Sequence, residues 1–450
     1  MPPALNLLLA AAAVLLIVGQ TGHIADLTVV ATVAATLVTL LQWRGLAKMA
    51  RLFVAGALVV GPLTAYAFPA GQAELASALV QGVAFAILLA SIGVMRYAVR
   101  RSATAQAAAR YLVSVPGRSR YAAINVGCHF LSLLFNVGII ALIGELLGSE
   151  RDGRLARAER QHLLLAGMRG TVLMTVWSPM GLGFAIVTSG IAGLDPVKFL
   201  ALSFVSAALL LTVTCVAFGH GQTATAQEDD GEPRSVVPVI AILLASVVLL
   251  GLTVLLHEVA GMSFTIATAT VIPLVSLAWV HLEPGKDGAG WPHHIAAMLK
   301  GLTDMRGEAA IFLSANVIGA AISIAVRAQP FWAGMQNGAY PDLAVIAACL
   351  VIVPLAGALM IPHSIFVVLI VQLFGHGAAG LHYPMTMALT LTLGWAMAIA
   401  VSPISAMSLI TGKLSGVSSH VVGLDWNRPF ALTLMGCSVA LMLVSYAFGL

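Results

Sequence analysis

Apolar segments of roughly 17–25 residues, each long enough to cross about 30 Å of hydrocarbon, recur from one end of the chain to the other. A chain built this way leaves no stretch for a separate soluble domain. Composition agrees: 60% of the 450 residues are hydrophobic and only 9% are charged, against about a quarter charged in an ordinary globular protein. With no water to satisfy backbone groups, long apolar segments of this kind span as helices. The expected class is an all-α polytopic membrane protein. The isoelectric point near 9.0 and the formal charge of +4 do not point to nucleic acid, because the basic residues fall in short loops between spans. Cys128, Cys215, Cys349 and Cys437 lie in or beside apolar segments without metal or disulfide spacing, and read as small hydrophobes. The opening "MPPALNLLLAAAAVLLIVG" has no basic region before its apolar run, so residues 1–25 read as a retained leading span.

The Lys and Arg positions set the expected topology. Basic clusters at Arg44–Arg51, Arg96–Arg120 and Arg151–Arg160 are expected in the cytoplasm, with the N-terminus cytoplasmic and the C-terminus outside, in a plasma (bacterial inner) membrane. The apolar stretch 121–148 lies between two basic flanks. A single crossing would put one flank outside, so a re-entrant hairpin turning near "FNVG" (Phe135 to Gly138) is expected.

Internal repetition is the strongest signal. "SPMGLGFAIVTSGIAGLD" from Ser178 is echoed by "SPISAMSLITGKLSG" from Ser402 and "VVGLD" ending at Asp425, and "IGVMRYAVR" ending at Arg100 is echoed by "IGAAISIAVR" ending at Arg327. All three pairs are roughly 225 positions apart, in the same order. The expected organisation is a first repeat over 26–218, a polar cytoplasmic linker over 219–235 and a second repeat over 236–450. The shift places a second hairpin at 341–375, interrupted by Pro354, Gly357 and Pro362, with its mouth on the outside. That gives about eleven transmembrane helices plus two hairpins, in inverted repeats.

Each repeat then carries a Ser-Pro inside an apolar segment, at Ser178-Pro179 and Ser402-Pro403. Residues 162–194 would make a continuous helix of about 50 Å at ~1.5 Å per residue, so a break is expected there, and another within 384–424. Proline lacks the N–H that would bond four residues back, which frees the carbonyls of Thr175 and Ile399. Gly181 and Gly183 allow an unwound turn in the first break, and Ser405, Ser408 and Thr411 follow the second. Free carbonyls suit a cation, and the next half-helix, with free N–H groups and a positive dipole end, suits an anion. Paired broken helices in inverted repeats are how secondary transporters bind substrate near the midplane.

Two inverted repeats, each with a hairpin, a broken helix and a closing span, resemble the ion transporter superfamily, which includes divalent-anion and citrate symporters, arsenite permeases and some sodium/proton exchangers. In its divalent-anion branch the hairpin tips carry a Ser-Asn-Thr signature. This chain has none; Asn136, Val137 and Gly138 stand in the first tip and Pro362, His363 and Ser364 in the second. The resemblance implies a substrate and ion site made of these tips with Thr175, Ser178, Pro179, Gly181, Ser402, Pro403 and Ser405. It leaves sodium at Asn136, Thr175, Ile399 and Ser405 as a possibility, and implies a homodimer moving by an elevator-like mechanism.

The expected lining is rich in hydroxyls, Gly and Asn and poor in fixed charge, which fits a small-molecule anion, probed first as a carboxylate, with sodium or protons as coupling ion. Beyond the coupling ion no cofactor is implied. His363 can bind anion or carry a proton. Arg169 is expected near the cytoplasmic interface. Glu145, Asp304 and Glu308 are the acids nearest apolar segments, too few to favour a sodium/proton exchanger, which stays an alternative alongside an inorganic oxyanion permease. An intramembrane enzyme would need a nucleophile with its base or a metal-binding acidic cluster, and the sequence has no HExxH and no GxSxG. His293 and His294, in "EPGKDGAGWPHH", read as solvated loop residues.

Overall fold

The computed structural model describes residues 3–117, 119–149, 157–220, 235–283, 290–332 and 340–450. The linker expected at 219–235 falls, from 221 to 234, outside the described residues. Among the described residues every regular element is helical. The first half runs α1 (Pro3–Thr21), α2 (Ala25–Leu41), α3 (Lys48–Ala67), α4 (Gln72–Arg101), the short α5 (Ala103–Ser114), α6 (Ser119–Phe135), α7 (Gly138–Ser149), α8 (Arg157–Met174), α9 (Leu182–Gly190) and α10 (Pro196–Phe218). The second runs α11 (Val237–Ala260), α12 (Phe264–Leu282), α13 (Trp291–Gly301), α14 (Arg306–Arg327), α15 (Asp342–Ala358), α16 (His363–Phe374), α17 (Ala378–His382), α18 (Pro384–Val401), α19 (Ala406–Ser415), a π-helical turn (Val421–Trp426) and α20 (Arg428–Ala447). The chain is an all-α polytopic membrane protein. Nine segments among the described residues are long and apolar enough to cross a membrane. The 17-residue α2 and the broken pair α8–α9 stand beside them.

Local chemistry sets the helix ends. Asp195 caps α10, its carboxylate accepting from the Val197 and Lys198 N–H groups at 3.0 Å each, with Pro196 at the first helical position. Ser263 and Ser102 cap α12 and α5 in the same way, as expected of short polar side chains with an accepting oxygen. Gly261 and Gly416 end α11 and α19 with φ of +61° and +67°, the left-handed turn that glycine makes without strain. Buried hydroxyls along the spans turn back on their own helix: Ser203, Thr214, Ser246 and Thr253 each donate to the carbonyl four residues earlier, which satisfies them without water.

The long helix α4 is enclosed, with 83% of its span buried, whereas 22% of α3 and of α11 is. It packs along α12 and α14, and the approach is close: a Cβ on Gly82 would lie 2.8 Å from the Leu313 carbonyl oxygen. Ends can be matched by contact. Arg306, at the start of α14, donates to the Gly45 carbonyl between α2 and α3 at 3.1 Å, and Arg101, at the end of α4, reaches His294 on α13 at 2.9 Å. This end therefore gathers Arg44, Arg51, Arg101 and Arg306. At the opposite end the described cations are Lys198 and Arg327, each ion-paired, with Asp195 at 3.1 Å and with Glu74.

His294 differs from the sequence reading. It lies on α13, 6% exposed, its Nδ1 2.8 Å from the Tyr97 hydroxyl. The Gly and Pro residues of this polar segment suggest a loop, but a helix starts at Trp291. Beside it, Glu283 joins α12 to α5. Burial raises its pKa, but the Ser102 and Thr104 hydroxyls, the Thr104 N–H and the Trp279 indole N–H all donate to it and together hold it below the ordinary carboxylate value. A depressed folded-state pKa stabilises above the unfolded value, about 4.3 for Glu, and that contribution is lost as pH falls through the folded value. Glu283→Gln should therefore lower the thermal midpoint in detergent at pH 7, and the gap to wild type should close as pH falls below about 4. A gap that stays constant with pH would locate the effect in packing instead.

Candidate functional site

The two breaks differ in detail. Helix α8 ends at Met174, and a short run of tighter turns follows, in which Thr175 N–H bonds to Val172 O at 3.1 Å and Trp177 N–H to Met174 O at 3.4 Å. The buried Ser178 hydroxyl accepts from Met180 N–H at 3.2 Å, Pro179 follows, and Gly181 starts α9 from an extended conformation. Helix α18 ends at Val401, and Ser405 caps α19 by accepting from Ser408 N–H at 3.1 Å. Between them the Ser402 hydroxyl is fully buried and has no hydrogen-bond partner. Proline at 179 and 403 leaves the Thr175 and Ile399 carbonyls without their helical donors, and no other hydrogen bond reaches either among the described residues.

Each helical hairpin lies in register with the broken helix of its own half. Asn125 on α6 donates through Nδ2 to Ala166 O at 2.9 Å, and His129 Nδ1 lies 3.1 Å from Gly170 O; both pairs are 41 residues apart, so α6 and α8 run parallel. The second half repeats the spacing: Gly357 on α15 lies against Ala398, and Gly394 on α18 against Val353. The turns at Asn136–Val137 and Leu359–Pro362 are thereby brought level with the breaks. Each turn holds one non-glycine residue in the left-handed region, Asn136 at φ +52° and Met360 at φ +59°. Of the three interruptions at Pro354, Gly357 and Pro362, the second turn falls at the last, just ahead of His363 and Ser364. Helix α15 runs through Pro354 and Gly357 to Ala358, because the glycine packs on α18 instead of ending the helix.

The second arms cross over to the other half. On the α16 side, Val371 fills the space beside Gly190 of α9, and Ala192 N–H bonds to Gly375 O at 3.0 Å. On the α7 side, Leu414 of α19 packs over Gly144. The first turns of α9 and α16 meet on one ring: His363 stands edge-on to Trp395 at 4.9 Å between centroids, and a Cβ on Gly183 would lie 3.2 Å from the same indole. The structure thus joins the second tip to the first break. It does not join the tips to the breaks by hydrogen bonds. Asn136 Oδ1 turns back to its own neighbour, Val137 N–H, at 2.7 Å, and His363 makes no side-chain hydrogen bond among the described residues.

Of the expected site residues, Ser178, Pro179, Ser402 and Pro403 are buried in the breaks, Thr175, Ser364 and Ser405 are 7%, 9% and 8% exposed, and Asn136, Val137, Gly181, Pro362, His363 and Ile399 are half-buried. Gly138 is exposed. No acidic residue lies in either turn or either break, and no cluster of three metal-ligating side chains occurs among the described residues. Sequence reasoning missed Trp395, which carried no motif, and His129. The latter accepts the Trp177 indole N–H on Nε2 at 2.9 Å while its Nδ1 faces the Gly170 carbonyl, so Nδ1 carries the proton. That bond holds the residue just before Ser178-Pro179.

Among solved structures, the chain is similar to the YdaH transporter of Alcanivorax borkumensis, whose crystal structure was described as revealing an unusual topology. Identity is 14%, the TM-score is 0.56, and the match covers 89% of this chain and 99% of that one. The fold is one that membrane transporters use. A second similar structure is MtrF of Neisseria gonorrhoeae, described as illuminating a class of antimetabolite efflux pumps, at 12% identity and a TM-score of 0.50 over 80% of each chain. At such identities the likeness is one of fold alone. No family model matches the chain, and no curated protein matches it.

Proposed function

We propose that the protein is a secondary active transporter of a small organic anion, a carboxylate in the first instance, coupled to sodium or protons. The observation that carries this reading is that four helices begin at the level of the two breaks, in two pairs: α9 with α16, which meet on Trp395, and α7 with α19, which pack through Gly144 and Leu414. Each offers unpaired N–H groups and about half a positive elementary charge, and the surrounding turns add no carboxylate. The open Thr175 and Ile399 carbonyls supply oxygen for a coupling cation. Helix ends and open carbonyls of this kind suit binding and movement of an ion pair.

The resemblance to the ion transporter superfamily supports the same reading, and with it inverted repeats with re-entrant hairpins, a homodimer and an elevator-like movement of hairpins and broken helices. The basic end of the bundle is read as cytoplasmic, which puts the N-terminus inside and the C-terminus outside a plasma (bacterial inner) membrane. The absence of an acid from the turns and breaks argues against a sodium/proton exchanger. The likeness to MtrF favours a second reading, outward movement of the anion.

Purified protein in liposomes, given labelled benzoate, succinate or citrate with an imposed sodium or proton gradient of either direction, tests this. One anion should move in a gradient-dependent way, and the productive direction separates import from export. Movement of none under any gradient would overturn the reading. For the anion that moves, Asn136→Ala removes a side-chain donor at the first turn. A hydrogen bond to a charged group is worth about 1.5–3 kcal/mol, so apparent affinity should fall roughly ten- to a hundredfold, whereas wild-type affinity would place the site elsewhere.

A further inference from the structure

Arg169 lies on α8, 4% exposed, and all its hydrogen-bond partners are neutral. Nε donates to Asn427 Oδ1 at 3.3 Å, Nη1 to the Tyr121 hydroxyl at 3.2 Å and Nη2 to the Trp426 carbonyl at 3.3 Å. The Phe218 and Phe430 rings lie 4.4 and 5.3 Å from its Cζ. Among the described residues no carboxylate pairs with it. A buried cation is retained at a cost, and its partners show what it arranges. Asn427 itself is fully buried, and its Nδ2 donates to Ala400 O at 3.3 Å and lies 3.3 Å from Met168 Sδ.

We infer that Arg169 is a positioning residue for the second break, acting through Asn427. A guanidinium has only donors, so the amide beside it must present Oδ1, and its Nδ2 is then turned onto the Ala400 carbonyl. That carbonyl lies in the last turn of α18. In a continuing helix it would accept from Ile404, but the helix stops at Val401 and the bond does not form. With Ala400 satisfied by Asn427, the Ile399 carbonyl, opened by Pro403, and the Val401 carbonyl are left without a donor among the described residues. The same guanidinium holds the π-helical turn at Trp426, and that turn rests on the break: a Cβ on Gly423 would lie 2.5 Å from the Val401 carbonyl oxygen. Arg169 thus fixes, from the first broken helix, which way Asn427 faces, and so closes the Ala400 carbonyl of the second. The functional meaning rests on the transport reading above; the orientation of Asn427 does not.

Hydrogen–deuterium exchange of the full chain in nanodiscs tests the orientation without any ligand. Arg169→Gln removes the donor-only partner and should speed exchange of the amides from 402 to 412 about tenfold, with Arg169→Lys closer to wild type. Asn427→Asp is the decisive variant. It gives Arg169 a charged partner, so thermal stability should be kept or raised, yet it has no N–H for Ala400, so exchange at 402–412 should still rise. Were Arg169 only a buried charge in need of company, Asn427→Asp would leave that segment as slow as wild type, and that result would overturn the proposal. If Arg169→Gln does not fold, Asn427→Asp alone decides. In liposomes Asn427→Asp should lower uptake of whichever of benzoate, succinate or citrate the wild type moves. A wild type that moves none refutes the transport reading and leaves the exchange result standing.

Discussion

Gly170→Ala is expected to prevent stable assembly of the first hairpin on its broken helix. A Cβ at Gly170 would lie 1.9 Å from the Asn125 carbonyl oxygen and 3.2 Å from its Cα, so the obstruction is backbone and has no rotamer to move to. Overpacking a tight core costs about 1–3 kcal/mol when side chains can yield, and more is expected here. Separating α6 from α8 also breaks the paired bonds from Asn125 to Ala166 and from His129 to Gly170. The measurement is the monodisperse fraction and thermal midpoint after extraction, with Gly436→Ala as control. Gly436 lies inside α20 with open space around it, and alanine is the better helix former by about 1 kcal/mol. If Gly170→Ala behaves like Gly436→Ala, the close approach of the two helices is wrong.

The second large effect is on transport with the fold intact. Pro179→Ala and Pro403→Ala each restore an N–H that can reach the Thr175 or Ile399 carbonyl, which favours continuing the helix and closes the open oxygen. Proline in a helix interior costs about 3 kcal/mol, so neither variant should lose stability, while uptake in liposomes should fall at least about tenfold, as expected from losing one ion or substrate contact. Pro62 and Pro273 provide the comparison, since they lie inside the continuous helices α3 and α12. Alanine at either should leave uptake unchanged. Equal effects at all four prolines would reduce the breaks to ordinary kinks.

Those four prolines also show how far the sequence could be read. A proline alone does not say whether a helix bends or stops; Pro62, Pro273 and Pro354 are all carried within helices. What distinguishes Pro179 and Pro403 is their company, a preceding serine and following residues able to start a new helix, Gly181 in one case and Ser405 in the other. That is local chemistry, legible at Gly181, whereas the Ser405 cap came with the structure. The turn at Asn136–Val137 was legible for another reason, the basic flanks on both sides of the apolar stretch 121–148, and the left-handed backbone of Asn136 suits it. Contacts between distant segments were not. Nothing near Arg169 in the chain announces Asn427, and burial among Tyr121, Phe218 and Phe430 depends on three helix ends meeting. Trp395 looks like any large residue in an apolar span until the structure places the second turn and the first break on either side of it.

The constant spacing of 41 residues between each first hairpin arm and its broken helix has a consequence for how such proteins can diverge. The contacting pairs share no residue pattern: Asn125 with Ala166 and His129 with Gly170 in one half, Val353 with Gly394 and Gly357 with Ala398 in the other. In one pair, Gly357 with Ala398, a small residue now stands on the hairpin arm as well, yet the distance along the chain has not changed. Descent from a duplicated ancestor would then be written in lengths more durably than in letters. Insertions inside either arm should be rare among distant kin, because one extra residue turns everything beyond it by about 100° and empties the glycine notch it was meant to fill.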